Sequence, residues 1–273
     1  MRFGVHLPQS GRAASGENIA RCARQAEELG FADVWASDHV AVPHGAPYPP
    51  SFIFEPLLSL TWAAAATSRV GLGTSVFLLP LRPVLVSSKQ LATLDLFSDG
   101  RLTVAAGTGW LRDEFDALGV DFARRQDITD EYVDALRVSW TQRPFDIDGD
   151  FTQAHNLVML PQPGRDIPLW VGGMGPRAIR RAIDKGDGWH GYGPVDEVCA
   201  IAGTLRQARP DETFVLSNRV DWDGLSTPGD DIRHGIETYA GAGLQHLVAC
   251  PAQSNLDDWL RSVEALARAF ALI

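Results

Sequence analysis

Residues 73–80 read GTSVFLLP, and the reading of this stretch decides the fold of the chain. Its second half, Val76 to Leu79, is continuously apolar, and the small polar pair Thr74-Ser75 stands ahead of it. RVGLG (69–73) leads into it and Arg82-Pro83 closes it. A short apolar run between turn signals is what a strand packed on both faces of a parallel sheet looks like. By itself the run reads as an ordinary core strand, because periodicity does not separate short apolar segments. The rest of the chain has to choose.

Outward from this stretch, strand-like and helix-like segments alternate from end to end. The strands read FGVHL from 3, DVWAS from 33, VGLGTSVFL from 70, RLTVAAG from 101, PLWVGG from 168, GWHGYG from 188, TFVLSN from 213 and HLVACP from 246. Helical patterns lie between them at Glu17–Leu29, Pro56–Thr67, Pro83–Phe97, Ile128–Trp140 and Pro176–Lys185. Gly30 after the first helix and Pro176 at the start of another match the preference for Pro at helix starts and Gly past helix ends. Alternation of this kind predicts a parallel sheet with helical crossovers. Eight pairs in 273 residues predict a (β/α)8 TIM barrel filling residues 1–273 as one domain.

Two connections exceed what a crossover needs. From 101 to 168 the chain holds FDIDGDFTQAHNLVMLPQP (145–163), which reads as a hairpin excursion about Asp148-Gly149-Asp150. Residues 38–55, with HVAVPHGAPYPPS, are too rich in Pro and Gly for a helix and are expected to overhang the barrel mouth.

Composition narrows the partners. A formal net charge of −10 and a pI near 5.1 argue against nucleic acid or an anionic membrane surface, since both demand concentrated Lys and Arg. No apolar run approaches the ~20 residues that span a bilayer, and MRFGVHLPQS lacks the basic and apolar regions of a signal peptide. Cys22, Cys199 and Cys250 are odd in number and widely spaced, which suits a reducing cytoplasm better than a disulfide framework. A soluble cytoplasmic protein acting on a small molecule is the expectation.

A parallel barrel carries its chemistry at the carboxyl ends of its strands. That rule selects Ser37-Asp38-His39, Thr74-Ser75-Val76, Gly107-Thr108-Gly109-Trp110 and Gly172-Gly173-Met174-Gly175-Pro176-Arg177. In the last of these, glycines allow close backbone approach and a helix amino terminus offers unpaired N–H groups, the requirements for holding a phosphate. An ordinary structural turn fits the same residues. Arg177, Arg180 and Arg181 add positive charge there, although exposed helix arginines are usually just solvated. No strand-end His/Asp/Glu set has metal-ligand spacing, so no metal is expected.

Four segments together, AEELGFADVWASDHV, ATSRVGLGTSVFLLPLRPV, LATLDLFSDGRLTVAAGTGWLRDEF and IPLWVGGMGPRAIRRAIDKGDGW, make the chain resemble the bacterial luciferase-like monooxygenase superfamily, especially its coenzyme F420-dependent oxidoreductase branch. The resemblance implies a homodimeric barrel that binds a flavin or deazaflavin at its carboxyl face. It implies a non-prolyl cis peptide at Ser75-Val76 supporting the cofactor ring, cofactor contacts from Gly107, Thr108 and Gly109, and a phosphate cradle at Gly172–Arg177. Trp189 matches a segment on the cofactor side, although a buried core Trp is the commoner case. The resemblance places His39 beside the hydride-bearing carbon, with Asp38 orienting it. Histidine suits a proton transfer that accompanies hydride.

His6, Gln9, His44, Tyr48, Phe54 and Trp110 are candidates for the substrate side. Trp110 stands where the sugar-phosphate dehydrogenases of this family carry a glutamate, which puts a sugar phosphate in doubt. Asp113 and Glu114 are read as a solvated helix face. The apolar second helix, FEPLLSLTWAAAAT, is a candidate for the dimer contact. The leading expectation is hydride transfer between F420 and a small organic substrate. Reduced FMN with oxygen, as a monooxygenase, or silent binding of either cofactor, are the alternatives.

Overall fold

The computed structural model describes residues 1–273. In chain order it contains β1 (Arg2–His6), α1 (Gly16–Glu28), β2 (Asp33–Ala36), α2 (Pro56–Ala66), β3 (Gly71–Leu78), α3 (Val84–Phe97), β4 (Leu102–Gly107), α4 (Arg112–Ala117), α5 (Arg125–Thr141), β5 (Phe145–Asp148) and β6 (Gln153–Leu157). There follow β7 (Leu169–Gly172), α6 (Pro176–Lys185), β8 (Gly188–Gly191), α7 (Val195–Ala208), β9 (Val215–Val220), α8 (Gly229–Gly241), β10 (His246–Ala249) and α9 (Leu256–Ala269). Eight strands close into a barrel in the order β1-β10-β9-β8-β7-β4-β3-β2. All eight strands read from the sequence are present, and the barrel is the one expected. The long connection after β4 contains α4, α5 and the β5–β6 hairpin, paired antiparallel through Ile147 and Ala154. No helix is long and apolar enough to cross a membrane.

Period-two alternation sorts the strand residues into two layers. Outward residues such as Phe3, Val5, Val34, Leu72, Val104, Leu169, Val171, Leu216 and Leu247 join the helices in one apolar core of 58 residues. Inward residues form a separate cluster of Trp35, Ala105, Trp170 and Val248. The indole of Trp35 fits only because its neighbour is glycine: a Cβ on Gly73 would lie 2.4 Å from it. Trp35 stacks on Trp170 at 5.6 Å and on His190 at 5.1 Å, which fills the middle of the barrel and leaves its carboxyl end to form a site.

Helix boundaries move slightly from the sequence reading. α5 begins at Arg125 rather than Ile128, and the short α4 is additional. α2 buries Leu57, Leu60, Ala63 and Ala64, while Leu58 and Trp62 stand exposed on its outer side.

Candidate active site

A cavity of about 490 Å³ opens at the carboxyl ends of the strands. This is within the ~300–1,000 Å³ range of small-molecule and cofactor sites. The 38–55 connection does overhang it: Tyr48, Pro49, Pro50 and Ile53 line its rim. The barrel order gives it two walls. Small residues from β3, β4 and β7 form one, and polar residues from β1, β9 and the segment after β10 form the other.

The small wall is built around Val76. The Ser75–Val76 peptide is cis, and the β3–β4 register shifts between Ser75 and Phe77. A Cβ on Gly107 would sit 2.3 Å from Val76 Cγ2, and one on Gly172 would sit 2.5 Å from Val76 Cγ1. The two glycines therefore make room for Val76, one methyl each. For Gly172 this is a different reason from the phosphate approach read in the sequence. Thr108 and Gly109 continue the wall, and Gly109, at φ +74°, passes against the Phe115 ring.

His39 lies at the rim. Its Nδ1 is 3.1 Å from Glu114 Oε2, and Glu114 Oε1 accepts hydrogen bonds from the backbone N–H of Val40 and of Ala41. Burial alone would raise the Glu114 pKa, but the bonds from His39, Val40 and Ala41 outweigh it and hold the carboxyl below its ordinary value. An ionised Glu114 accepts a hydrogen bond from the His39 Nδ1–H and leaves Nε2 as the ring nitrogen without a partner. Glu114 is fully buried, so its reading as a solvated residue is corrected. The α4 turn directs it 75 positions back along the chain.

Asp38 faces another way. Its carboxylate accepts two bonds from Arg82, at 2.7 and 2.8 Å, and one from the Leu78 N–H at 2.8 Å. Every oxygen is thus engaged in tying the β2 end to the β3 end, which makes Asp38 a positioning residue rather than a reacting one. Trp110 and Tyr48 stack at 6.1 Å with their planes 7° apart, and Trp110 meets His39 edge-on. These three rings form one aromatic corner of the mouth.

Sequence reasoning missed the chain of buried groups beneath the cavity. Ser75 Oγ lies 2.8 Å from His190 Nε2, and His190 Nδ1 lies 2.9 Å from Ser217 Oγ. Ser217 Oγ lies 2.7 Å from His246 Nδ1, and His246 Nε2 lies 2.9 Å from Asp33 Oδ1. Burial would raise the Asp33 pKa, yet the His246 charge and the bonds from His246 and Trp35 hold it below its ordinary value. Burial, then the charges of His246 and Arg219, push His190 down to about 3.

An ionised Asp33 accepts from the His246 Nε2–H, and four hydrogen bonds join Asp33, His246, Ser217, His190 and Ser75 into one buried chain that ends at the cavity. The available signal was alternation: with Trp189 packed outward, His190 has to point in.

Other expected residues lie elsewhere. Trp189 is fully buried in the helix-facing core, and its indole donates to the Gly173 carbonyl at 2.8 Å, so it shapes the β7 loop from behind. His44 is exposed on the overhanging loop and does not line the cavity. Met174, Gly175, Pro176 and Arg177 lie beyond the rim at the start of α6. Arg177 is bound to Asp127 and Asp130, and Arg181 to Asp130 and Gln126, so neither guanidinium is free. The amino terminus of α6 is nonetheless open, with nothing within 4 Å of a Cβ built on Gly175. His6 and Gln9 line the polar wall. Gln9 joins the Ser37 and Phe54 carbonyls and the Ser37 N–H, while His6 Nε2 has no partner.

The model of one protein family, described as luciferase-like monooxygenase, matches residues 1–212. The chain belongs to that family. An uncharacterized protein of Mycobacterium tuberculosis is 33% identical over 204 residues, covering 69% of this chain and 71% of that one. The F420-dependent glucose-6-phosphate dehydrogenase of Kineococcus radiotolerans is 33% identical over 177 residues, 63% of this chain and 51% of that one. Among solved structures, the monooxygenase RslO1 from Streptomyces bottropensis superposes with a TM-score of 0.84 at 22% identity, covering 99% of each chain. At that identity the superposition speaks for the fold alone.

Proposed function

We propose that this luciferase-like protein is an oxidoreductase that uses coenzyme F420 to pass hydride to or from a small organic substrate. The observation that carries the proposal is the small wall. Val76, seated between Gly107 and Gly172, gives an apolar surface without larger side chains beside it, and β7 runs on from Gly172 to the open amino terminus of α6. A planar ring suits the first and an anionic tail the second. The F420 dependence named for the Kineococcus relative supports this reading. The bound deazaflavin would supply the hydride chemistry.

The residues of this chain do the rest. Val76, Gly107 and Gly172 would receive the ring, Ser75 would offer it a hydroxyl, and the N–H groups of Gly175 and Arg177 would hold the phosphate. His39 Nε2, freed by the bond from Nδ1 to Glu114, gives or takes the proton that accompanies hydride. Trp110 and Tyr48 shield the mouth on the substrate side. A cytoplasmic location and a homodimer covering Leu58 and Trp62 belong to the same proposal.

Titration with F420 and FMN side by side tests the cofactor, and Gly175→Asp tests its placement. Gly175 is the extended N-cap of α6, at φ −79° and ψ 159°, where Asp is a favourable capping residue. The variant should keep its melting temperature yet lose cofactor affinity at least tenfold, because its carboxylate opposes the phosphate. Unchanged affinity, or no binding of either cofactor to the native chain, refutes the proposal.

A further inference from the structure

The wall facing Val76 contains a cation that the chain itself leaves largely uncompensated. Arg219 stands near the carboxyl end of β9, and in the barrel order β9 lies directly across the mouth from β3. Its side chain lines the cavity and is 21% exposed. Its Nε donates to Cys250 Sγ at 3.1 Å, and the guanidinium lies over the Tyr192 ring at 4.7 Å. No hydrogen bond leaves Nη1 or Nη2. The nearest carboxylate, Asp221, is 3.9 Å away, 65% exposed and already bonded to the Tyr192 hydroxyl. Arg82, by contrast, spends both Nη atoms on Asp38.

Arg219 is the only Arg or Lys among the cavity-lining residues, and the only lining carboxylate, Asp38, is closed by Arg82. Beside Arg219 on the same wall, His6 is 96% buried with an unpartnered Nε2. Its pKa lies well below the ordinary value, held down first by burial and then by the Arg219 charge. His6 is therefore neutral, and so is His190 at about 3.

We propose that Arg219 binds a carboxylate of the substrate, so that the molecule turned over is a small organic monoanion. The inference rests on the reading that this cavity is where an oxidoreductase holds its substrate. The two free Nη groups match the two oxygens of a carboxylate, the bidentate pairing that guanidinium favours. Charge decides between carboxylate and phosphate. One guanidinium between two neutral histidines balances one negative charge, and a phosphate dianion would need a second cation that this wall lacks. The sugar phosphate named for the Kineococcus relative is a poor match on that count. The cofactor phosphate has its own place at α6, reached from β7 rather than β9.

The test is calorimetric titration of the full chain with benzoate, benzamide and phenyl phosphate, which share a shape and differ in charge. Benzoate should bind at least tenfold tighter than benzamide and no more weakly than phenyl phosphate. Arg219→Gln should abolish the benzoate preference and Arg219→Lys should retain part of it. The His6 ring should titrate at higher pH in saturating benzoate, by NMR, in the native chain but not in Arg219→Gln.

Equal binding of benzoate and benzamide, no binding of either, or a preference that survives in a folded Arg219→Gln overturns the proposal. Tighter binding of phenyl phosphate overturns the choice of carboxylate. Should Arg219→Gln and Arg219→Lys both fail to fold, the comparison of the three probes and the His6 titration still decide on the native chain. F420 and FMN titrations of the same variants separate the two readings. Cofactor affinity lost with Arg219 reassigns the residue to the cofactor, whereas absence of cofactor binding in every chain leaves the benzoate result standing.

Discussion

Substituting Gly172 by alanine tests the packing that makes the small wall. The new Cβ would lie 2.5 Å from Val76 Cγ1 and 3.3 Å from the Ala106 carbonyl oxygen. Carbon atoms in contact sit about 3.5–4.0 Å apart, so the overlap with Cγ1 is about 1 Å or more. Val76 has little freedom to yield, since its χ1 is stiff and its other methyl already points at Gly107. Overpacking of this kind costs about 1–3 kcal/mol. For a domain of this size each kcal/mol corresponds to about 2–4 °C in melting temperature, so a fall of several degrees is expected.

The control is Val76→Ala, which removes both methyls. In that background Gly172→Ala should cost less than about 0.5 kcal/mol, an interaction energy of about 0.5–3 kcal/mol in the double-mutant cycle. Melting temperatures and urea titrations of the four proteins measure it. Equal losses in both backgrounds would refute the account, because Val76 would then not be what fills the space beside Gly172.

The remaining predictions concern protons. His190 has its pKa pushed from 6.5 down to about 3, so the unfolded chain takes up this proton first and stability falls as pH drops from about 6.5 toward 3. By pH 5 the loss from this residue is about 2 kcal/mol, and His190→Gln should reduce the difference in unfolding free energy between pH 7.5 and 5 by that amount. An identical difference in both proteins would count against a buried neutral His190. In Glu114→Gln the amide can donate to His39 Nδ1, which moves the ring proton to Nε2. Turnover should fall at least tenfold with a melting temperature within about 3 °C of native, and persistence of the Nδ1–H form by ¹⁵N NMR would contradict the role given to Glu114.

Much of the barrel was legible because its signals are local. The alternation of strand and helix, the Gly-Pro start of α6 and the turn at Asp148–Asp150 each depend on residues within one or two turns of chain. The strand-end rule also brought His39, Ser75, Gly107 and Gly172 to one cavity before any contact was known. What closes around these residues has no local signature. Glu114 reaches His39 from 75 positions away, His190 reaches Ser75 across 115, and His246 meets Asp33 across 213. In sequence those partners are isolated polar residues, and Glu114 even reads as solvated.

Sequence alone therefore determined the eight strands, their alternation with helices and the end of the barrel where a site belongs. Only the tertiary structure decided that Gly172 serves Val76, that Asp38 and Arg177 are occupied by partners, and that Arg219 keeps two donors free. The reason is physical: backbone periodicity is set by neighbouring residues, whereas the charge and hydrogen-bonding state of a side chain is set by whatever barrel closure brings against it.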